Sequence, residues 1–190
     1  VYPTEKTSPM PLLPILVAPD PRLARVAEPV PEVNRAVRKL MDDLLSTMYA
    51  APGIGLAAPQ VGVAKRVIVL DISKDEKKPE PLMLANPEIV WASDELAAFE
   101  EGCLSLPEQF AEVERPASVH VRYLDHDNKP QELHADGLLA TCLQHEMDHL
   151  QGVLFVDHIS ALKRGIILRR LKKMKRTGGL DTAHPAAARL

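Results

Sequence analysis

The sequence contains little cysteine and few aromatic residues. It has two cysteines among 190 residues, and phenylalanine, tryptophan and tyrosine together make up 4%. Two cysteines allow at most one disulfide, so the chain is not a disulfide-stapled secreted scaffold, and its core must be largely aliphatic. Because hydrophobic residues make up 46% and charged residues 26%, disorder and a collagen-like fibre are excluded for the chain as a whole.

Long apolar runs and an excess of positive charge are also absent. No run approaches the roughly 20 residues that span a bilayer. The apolar segment 10–18 is interrupted by two prolines and lacks the basic region that precedes the core of a secretory signal peptide. The formal net charge of −3 disfavours general binding of nucleic acid. We therefore expect a cytoplasmic protein that binds no membrane and forms no stable complex with DNA.

Hydrophobic spacing predicts an α+β fold, in which small antiparallel or mixed β-sheets pack around a central helix and a further helix follows at the C-terminal end. Helices are predicted to begin near Pro31, to cover 137–150 with a stop at Gly152, and to cover 160–176. The last helix is predicted to bury Leu162, Ile166, Leu171 and Met174. Strands are predicted at 66–71, 82–90, 118–124 and 131–135, with Pro87 marking an edge or a bulge.

The strongest motif is His145-Glu146-Met147-Asp148-His149, within the predicted central helix. Residues four apart lie on one face of a helix, so both imidazoles can bind the same cation. Glu146 is placed to take a proton from a metal-bound water. The residues around the motif are largely apolar, and burying unpaired charges there would be costly. The pattern therefore predicts that the central helix binds a metal ion.

The helix alone does not decide the third metal ligand. Cys103 stands beside a glycine, in a turn that can present a thiolate to zinc or ferrous iron. Cys142, three residues before His145, is a competitor, although a single cysteine on an apolar helix is more often a packing residue. No glutamate follows the motif, so a zinc-dependent peptidase would need Asp157 or His158 as its ligand.

A run of small residues at 53–60 allows the backbone to approach a ligand closely, and Gln60 at its end offers an amide donor. No Gly-Lys-Ser/Thr sequence follows, which excludes a phosphate-binding loop. Taken alone, the segment indicates no more than a turn.

The segments 53–60, 101–105 and 144–149 together resemble the three signature motifs of the peptide deformylase family, in the family's order. The similarity extends from about Leu12 to Met174, and the C-terminal helix resembles that of the bacterial type I branch. The resemblance implies a metal-dependent hydrolase that removes the N-formyl group from the N-terminal formylmethionine of nascent polypeptides and releases formate. We expect one catalytic domain over 10–178, an N-terminal extension at 1–9 that is disordered or was introduced artificially, and a flexible tail at 179–190.

The resemblance also implies the roles of individual residues. The metal ligands are Cys103, His145 and His149, with Fe²⁺ as the native ion and Ni²⁺, Co²⁺ or Zn²⁺ as substitutes. Glu146 acts as general base while the metal-bound water attacks the formyl carbon, and then as general acid. The donors to the oxyanion are Gln60 and the backbone N–H of Leu104. The residues implied to bind substrate are Ile54, Gly55, Gly102, Leu138, Thr141 and Cys142.

The predicted C-terminal helix carries a strong asymmetry of charge. Between Lys163 and Arg176 lie eight of the 23 basic residues and none of the 26 acidic ones, which leaves 15 basic residues elsewhere in the chain. Such a helix is either a solvated face or a surface that binds an anionic partner. The resemblance implies docking on the ribosome near the nascent-chain exit. A non-catalytic ribosome-binding protein is the alternative, but it would have no need of Glu146, Gln60 and Cys103 together.

Overall fold

The computed structural model describes residues 11–51, 53–73, 75 and 78–178, so the predicted extension 1–9 and tail 179–190 lie outside the described residues. The helices of the described chain are α1 (Arg35–Ala50), α2 (Gly137–His149) and α3 (Ala161–Arg176). The strands are β1 (Gly55–Ala57), β2 (Val67–Leu70), β3 (Leu82–Ala92), β4 (Leu96–Cys103), β5 (Leu106–Pro116), β6 (Ser118–Leu124) and β7 (Pro130–Asp136). Short 3₁₀ turns cover Pro21–Ala24, Ala58–Val61 and Phe155–His158.

The strands form two sheets, and every pair of neighbouring strands is antiparallel. Five strands pair in the order β1-β2-β3-β6-β7, while β4 and β5 form a separate hairpin. The predicted α+β class is therefore confirmed. Pro87 lies where the pairing of β3 with β6 shifts register between Ala85 and Glu88, which confirms the predicted bulge.

The hairpin of β4 and β5 and the short strand β1 were not predicted from the sequence. The hairpin is rich in glutamate, a residue with low β-propensity, and only part of each strand is buried. Pairing between the two strands, rather than the propensity of either, determines this structure. The hairpin matters for function because its tight turn at 104–105 follows Cys103.

Helix α1 begins four residues later than the prediction from Pro31 placed it. Asn34 caps the helix, since its side-chain oxygen accepts a hydrogen bond of 3.0 Å from the backbone N–H of Val37. An N-cap of this kind satisfies one of the free donors at a helix start, whereas Pro31 lies outside the helix. The apolar face of α1 packs against β1 and β2 and closes one side of the core.

Helix α2 is buried on most of its circumference, because it contacts β1, β2, β6 and β7 on one side and β5 on another. Its predicted stop is confirmed: the backbone turns at Gly152, whose φ of +72° is readily adopted by glycine. A Cβ at this position would lie 2.6 Å from the carbonyl carbon of Ala24, so there is also no room for a side chain. The central helix thus ends next to the N-terminal segment.

Helix α3 buries only part of the predicted face. Leu162 is 71% exposed and Ile166 36% exposed, whereas Ile167 and Leu171 are buried and Met174 is partly buried. The stripe at spacings of four and three begins one residue after Ile166, because α3 rests on β5 and the Phe155–His158 turn. The prediction was correct for two of its four residues. Among the described residues, no helix has the length and apolar character needed to cross a membrane.

Candidate active site

The structure brings the three predicted metal ligands together. Cys103 is the last residue of β4, and His145 and His149 lie one turn apart on α2. Their ligand atoms all lie within 4.8 Å of one another, with Cys103 Sγ 3.4 Å from His149 Nε2. All three side chains are buried. One thiolate and two imidazoles form a donor set suited to zinc and other late divalent metals of the first transition row.

The other sequence-based candidates for the third ligand lie apart from this group. Cys142 is buried, and its thiol points to the carbonyl oxygen of Ile54 at 3.8 Å. Asp157 accepts a hydrogen bond of 2.7 Å from Arg164, and His158 pairs with Asp148. Neither residue belongs to a metal-binding group of the described chain that includes the helix motif. The ligand set of the peptidase alternative is therefore not assembled.

Glu101 orients the His145 ring through a contact at Nδ1. Its Oε2 lies 2.8 Å from His145 Nδ1, and Arg115 donates to both carboxylate oxygens at 2.6 and 3.0 Å. Burial alone would raise the pKa of Glu101, but the hydrogen bonds from His145 and Arg115 outweigh it and lower the pKa to about 2. Since an ionised carboxylate only accepts, His145 donates through Nδ1, which leaves the Nε2 lone pair for a cation.

Sequence reasoning did not identify Glu101 or Arg115 as functional residues. Arg115 also donates to Asp148 at 2.8 Å, so this buried arginine joins the hairpin to the metal-binding helix. The only available signal was the position of Glu101, two residues before Cys103 in the second motif. Nothing in the local sequence marks Arg115, because its partners lie 14 and 33 residues away along the chain.

Two buried atoms of the site have no hydrogen-bond partner within the described chain: Glu146 Oε2 and His149 Nδ1. Burying a polar group without a partner costs free energy, so such atoms mark places where a ligand or water completes the structure. Burial lowers the pKa of His145, but Cys103 and Glu101 outweigh this effect and raise it well above its ordinary value. Burial lowers the pKa of His149 well below its ordinary value, so this imidazole stays neutral, and the fit to a divalent cation rests on the donor set and the two unpartnered atoms.

Glu146 is fully enclosed, and burial raises the pKa of its carboxyl group to about 7. A carboxyl group that titrates near neutral pH can both take up and release a proton during a reaction cycle. It lies against Gly55, where an added Cβ would stand 2.8 Å from the Glu146 carboxyl carbon. Glycine at this position in β1 is therefore required by the close approach of the two segments.

Gln60 is oriented by hydrogen bonds at both ends of its amide. Its Oε1 accepts from the backbone N–H of Ala57 at 2.9 Å, and its Nε2 donates to Ser105 Oγ at 3.1 Å and to Cys103 Sγ at 3.4 Å. The hydrogen bond donated by the Ala57 N–H fixes which end of the amide faces the metal ligands. Both N–H groups of Gln60 are thus directed at Ser105 and Cys103, and the amide has little freedom to turn.

A small cavity joins these groups. The structure places the predicted residues Ile54, Gly55, Gly102 and Leu104 at its walls, whereas Leu138, Thr141 and Cys142 are not among the residues that line it. Thr141 and Cys142 are buried in α2, and Leu138 is half-buried on its first turn. The full lining is Gly53, Ile54, Gly55, Gln60, Gly102, Cys103, Leu104, His145 and Glu146.

A buried glutamate beside a cysteine and two histidines whose ligand atoms converge, next to a cavity lined by Cys103, His145 and Glu146, defines a metal-dependent hydrolase. Residues 12–165 match the family described as polypeptide deformylase. The chain is 59% identical to a peptide deformylase from Methylocella silvestris over 182 residues, which cover 94% of this chain and 91% of the relative. It is 54% identical to one from Mesorhizobium japonicum over 165 residues, covering 87% and 94%.

Solved structures show the same similarity. The crystal structure of peptide deformylase from Ehrlichia chaffeensis matches with a TM-score of 0.84 at 40% identity, covering 90% of this chain and 100% of that one. A structure from the same organism in complex with actinonin gives a TM-score of 0.82 at 42% identity, covering 87% and 98%. The chain belongs to the polypeptide deformylase family. It is an enzyme that removes the N-formyl group from nascent polypeptides, as the sequence motifs predicted.

We predict that Gly55→Ala displaces the Glu146 carboxylate and slows formate release. An added Cβ meets the Glu146 side chain at less than van der Waals distance, and a misplacement of about 1 Å can cost about 100-fold in rate. The measurement is kcat with a formylated methionyl peptide. Gly165→Ala on α3 is the matched control, because its Cβ meets only Arg169 at 3.7 Å. Full activity of Gly55→Ala would contradict the close packing described here.

We predict that Glu101→Gln weakens both metal binding and folding. Loss of a carboxylate that orients a metal-binding histidine costs about 10- to 100-fold in metal affinity. Breaking a buried ion pair also lowers the free energy of unfolding by roughly 3–5 kcal/mol. Metal content after dialysis and urea unfolding measure the two effects. The neighbouring exposed Glu100→Gln is the control, and equal metal affinity in the two variants would refute this role of Glu101.

Proposed function

We propose that Cys103, His145 and His149 hold one divalent cation, and that Fe²⁺ is the native ion, with Ni²⁺, Co²⁺ or Zn²⁺ as working substitutes. The observation that carries this proposal is the convergence of the three ligand atoms within 4.8 Å in a buried site. A cation held there supplies a Lewis acid that polarises the formyl carbonyl and acidifies water. Metal analysis of protein purified without oxygen tests the identity of the ion, and zinc alone in such protein would contradict Fe²⁺.

In this proposal Glu146 carries the protons of the reaction. Its carboxylate takes a proton from the attacking water and later gives a proton to the nitrogen of the departing amine, so that formate and a free N-terminus result. The Oε2 atom has no partner in the described chain and is free to receive that proton. Its pKa of about 7, raised by burial, suits both steps near neutral pH.

The oxyanion that forms at the formyl carbon needs hydrogen-bond donors. We assign this role to Gln60 Nε2 and to the backbone N–H of Leu104 in the hairpin turn. The fixed orientation of the Gln60 amide supports this assignment, because its longer contact, to Cys103 Sγ at 3.4 Å, can be exchanged for the oxyanion without turning the amide. Loss of one such donor typically costs about 2.7–4 kcal/mol of transition-state stabilisation.

The substrate backbone is proposed to lie along Ile54, Gly55 and Gly102. Strand β1 is an edge strand that pairs only with β2 within the described sheet, so one edge is available to an extended peptide. We propose Leu138, Thr141 and Cys142 as the pocket for the methionine side chain. The contact of Cys142 Sγ with the carbonyl oxygen of Ile54, a residue of the cavity wall, at 3.8 Å supports this proposal.

The decisive test is formate release from a formyl-Met peptide by protein purified without oxygen. We expect stoichiometric formate and a free methionyl N-terminus, with no release of acetate from the acetylated peptide. Cleavage of internal peptide bonds without formate release, by metal-loaded protein, would instead favour a peptidase. This result would also require a ligand from the segment that contains Asp157 and His158.

We also propose that the enzyme acts in the cytoplasm, as a single catalytic domain over 10–178, and docks on the ribosome through α3. The eight basic residues of this helix are all exposed. Within the described chain, Arg164 is the only one of them that forms an ion pair, with Asp157 at 2.7 Å. Co-sedimentation with ribosomes tests the docking. Binding should weaken steeply with salt and in the double variant Lys172→Glu/Lys175→Glu, whereas unchanged binding would overturn it.

A further inference from the structure

A second group of metal-binding side chains lies outside the active site, on the outer face of the five-stranded sheet. His120 on β6 is directly opposite His134 on β7, and Glu132 precedes His134 by two residues. Side chains two residues apart on a strand, and those directly opposite on a neighbour, share one face of the sheet. The ligand atoms of the three residues all lie within 4.8 Å of one another.

The arrangement is close to that of a metal site. The two imidazole rings are stacked, with centroids 3.7 Å apart and planes inclined by 16°, and His134 Nε2 lies 3.7 Å from Glu132 Oε1. Donor atoms about 2.1 Å from a tetrahedral ion are about 3.4 Å apart. Because the lone pairs of the stacked rings lie in nearly parallel planes, binding one ion requires the His134 ring to turn out of the stack. The His134 and Glu132 side chains are 66% and 55% exposed, so both have room to turn.

The donor set determines which ions fit. Two imidazoles and one carboxylate form a set that zinc takes in proteins, with positions left for water. Affinity at such a site rises from Fe²⁺ through Co²⁺ to Ni²⁺. We propose that His120, Glu132 and His134 form a surface site for a late divalent ion such as Zn²⁺, Ni²⁺ or Co²⁺, separate from the active site.

Arg122 is the cationic side chain nearest to this group in the strand register. It lies directly opposite Glu132 and two residues from His120, on the same exposed face. Its positive charge repels a bound cation, and its guanidinium group competes with that cation for the Glu132 carboxylate. The variant Arg122→Gln is therefore expected to strengthen binding, whereas a group that merely stacks two rings would not respond to it.

Trp91 supplies a built-in reporter for this site. It is the single tryptophan of the chain, and its ring centroid lies 4.6 Å from that of His120. Ni²⁺ bound to His120 would lie close enough to quench the indole fluorescence. His134 is the better residue to replace, since its partner in the ring contacts is His120 and the contact of Trp91 with His120 can remain.

The experiment is a titration of full-length enzyme, without an affinity tag and already carrying one Ni²⁺, with further Ni²⁺. We expect saturable quenching of Trp91 and one additional Ni²⁺ per chain by calorimetry. Loss of a residue that only orients a metal ligand lowers metal affinity by about 10- to 100-fold. The variant His134→Asn removes a ligand itself, so it should weaken binding at least as much. Glu132→Gln should weaken it as well.

Two controls separate this site from other histidines. His126→Asn removes a histidine that pairs instead with Asp42 at 3.0 Å and should leave the quenching unchanged. Cys103→Ala should lose the active-site ion while Ni²⁺ still quenches Trp91. The proposal is overturned if no second equivalent binds, or if His134→Asn and the parent bind it equally well.

Discussion

Replacing Glu146 by glutamine is expected to lower kcat for formate release by about 100- to 10,000-fold, the range for loss of a general acid–base group. Glutamine keeps the size of the side chain but can neither take up nor release the proton. The residue is enclosed by α2 and β1, where burial raises its pKa to about 7, so no solvent group can readily substitute for it. The measurement is single-turnover formate release across neutral pH.

Metal content distinguishes this role from that of a ligand. Glu146 is not part of the group whose ligand atoms converge, so the glutamine and alanine variants should both retain one metal ion per chain. Loss of metal from Glu146→Ala would contradict the assignment. A kcat within a few-fold of the parent, with metal retained, would move the proton-carrying role to another residue.

The second large effect is expected from Cys103→Ala, which should lose both the metal and formate release. A thiolate is the anionic ligand of the set, and its removal leaves two neutral imidazoles. We expect metal affinity to fall by more than about 100-fold, since even the loss of a residue that only orients a ligand lowers it by about 10- to 100-fold. Metal analysis after dialysis and formate release are the two measurements.

Cys142→Ala is the matched control for metal content, because Cys142 is the other buried cysteine and lies on the same helix as the histidines. Its thiol faces the Ile54 carbonyl oxygen rather than the metal ligands. The variant should keep one metal ion per chain. Equal loss of metal from both variants would mean that the effect reflects general damage to the core, and Cys103→Ser then tests the ligand without a change of size.

The helix motif could be predicted because its signal is local. A spacing of four places His145 and His149 on one face of any α-helix, and the largely apolar residues around the motif predict burial. The strands β2, β6 and β7 were likewise predicted within a residue or so, because apolar and β-branched residues mark them in the sequence. The family followed from three short motifs in order, none of which identifies it alone.

Other parts of the site depend on contacts between distant segments. Cys103 lies 46 residues before His149, and the β4–β5 hairpin that carries it has weak strand propensity. The pairing of Glu101 with Arg115 and His145 is equally non-local. Of the four residues predicted for the buried face of α3, Leu171 and Met174 face inward but Leu162 and Ile166 are exposed, since the helix has apolar residues on more than one side and only the surface beneath selects among them.

The sequence by itself determined the class of fold, the metal-binding helix and the family, because short-range spacing and motif order carry that information. Spacing alone left Cys103 and Cys142 as alternatives, and the family resemblance named Cys103. Only the tertiary structure decided which carboxylate orients His145 and which glycine admits Glu146. It also brought His120, Glu132 and His134 together on one sheet face. The local sequence does not distinguish these residues from others of the same type. The long-range packing of the hairpin, the sheet and α2 selects them.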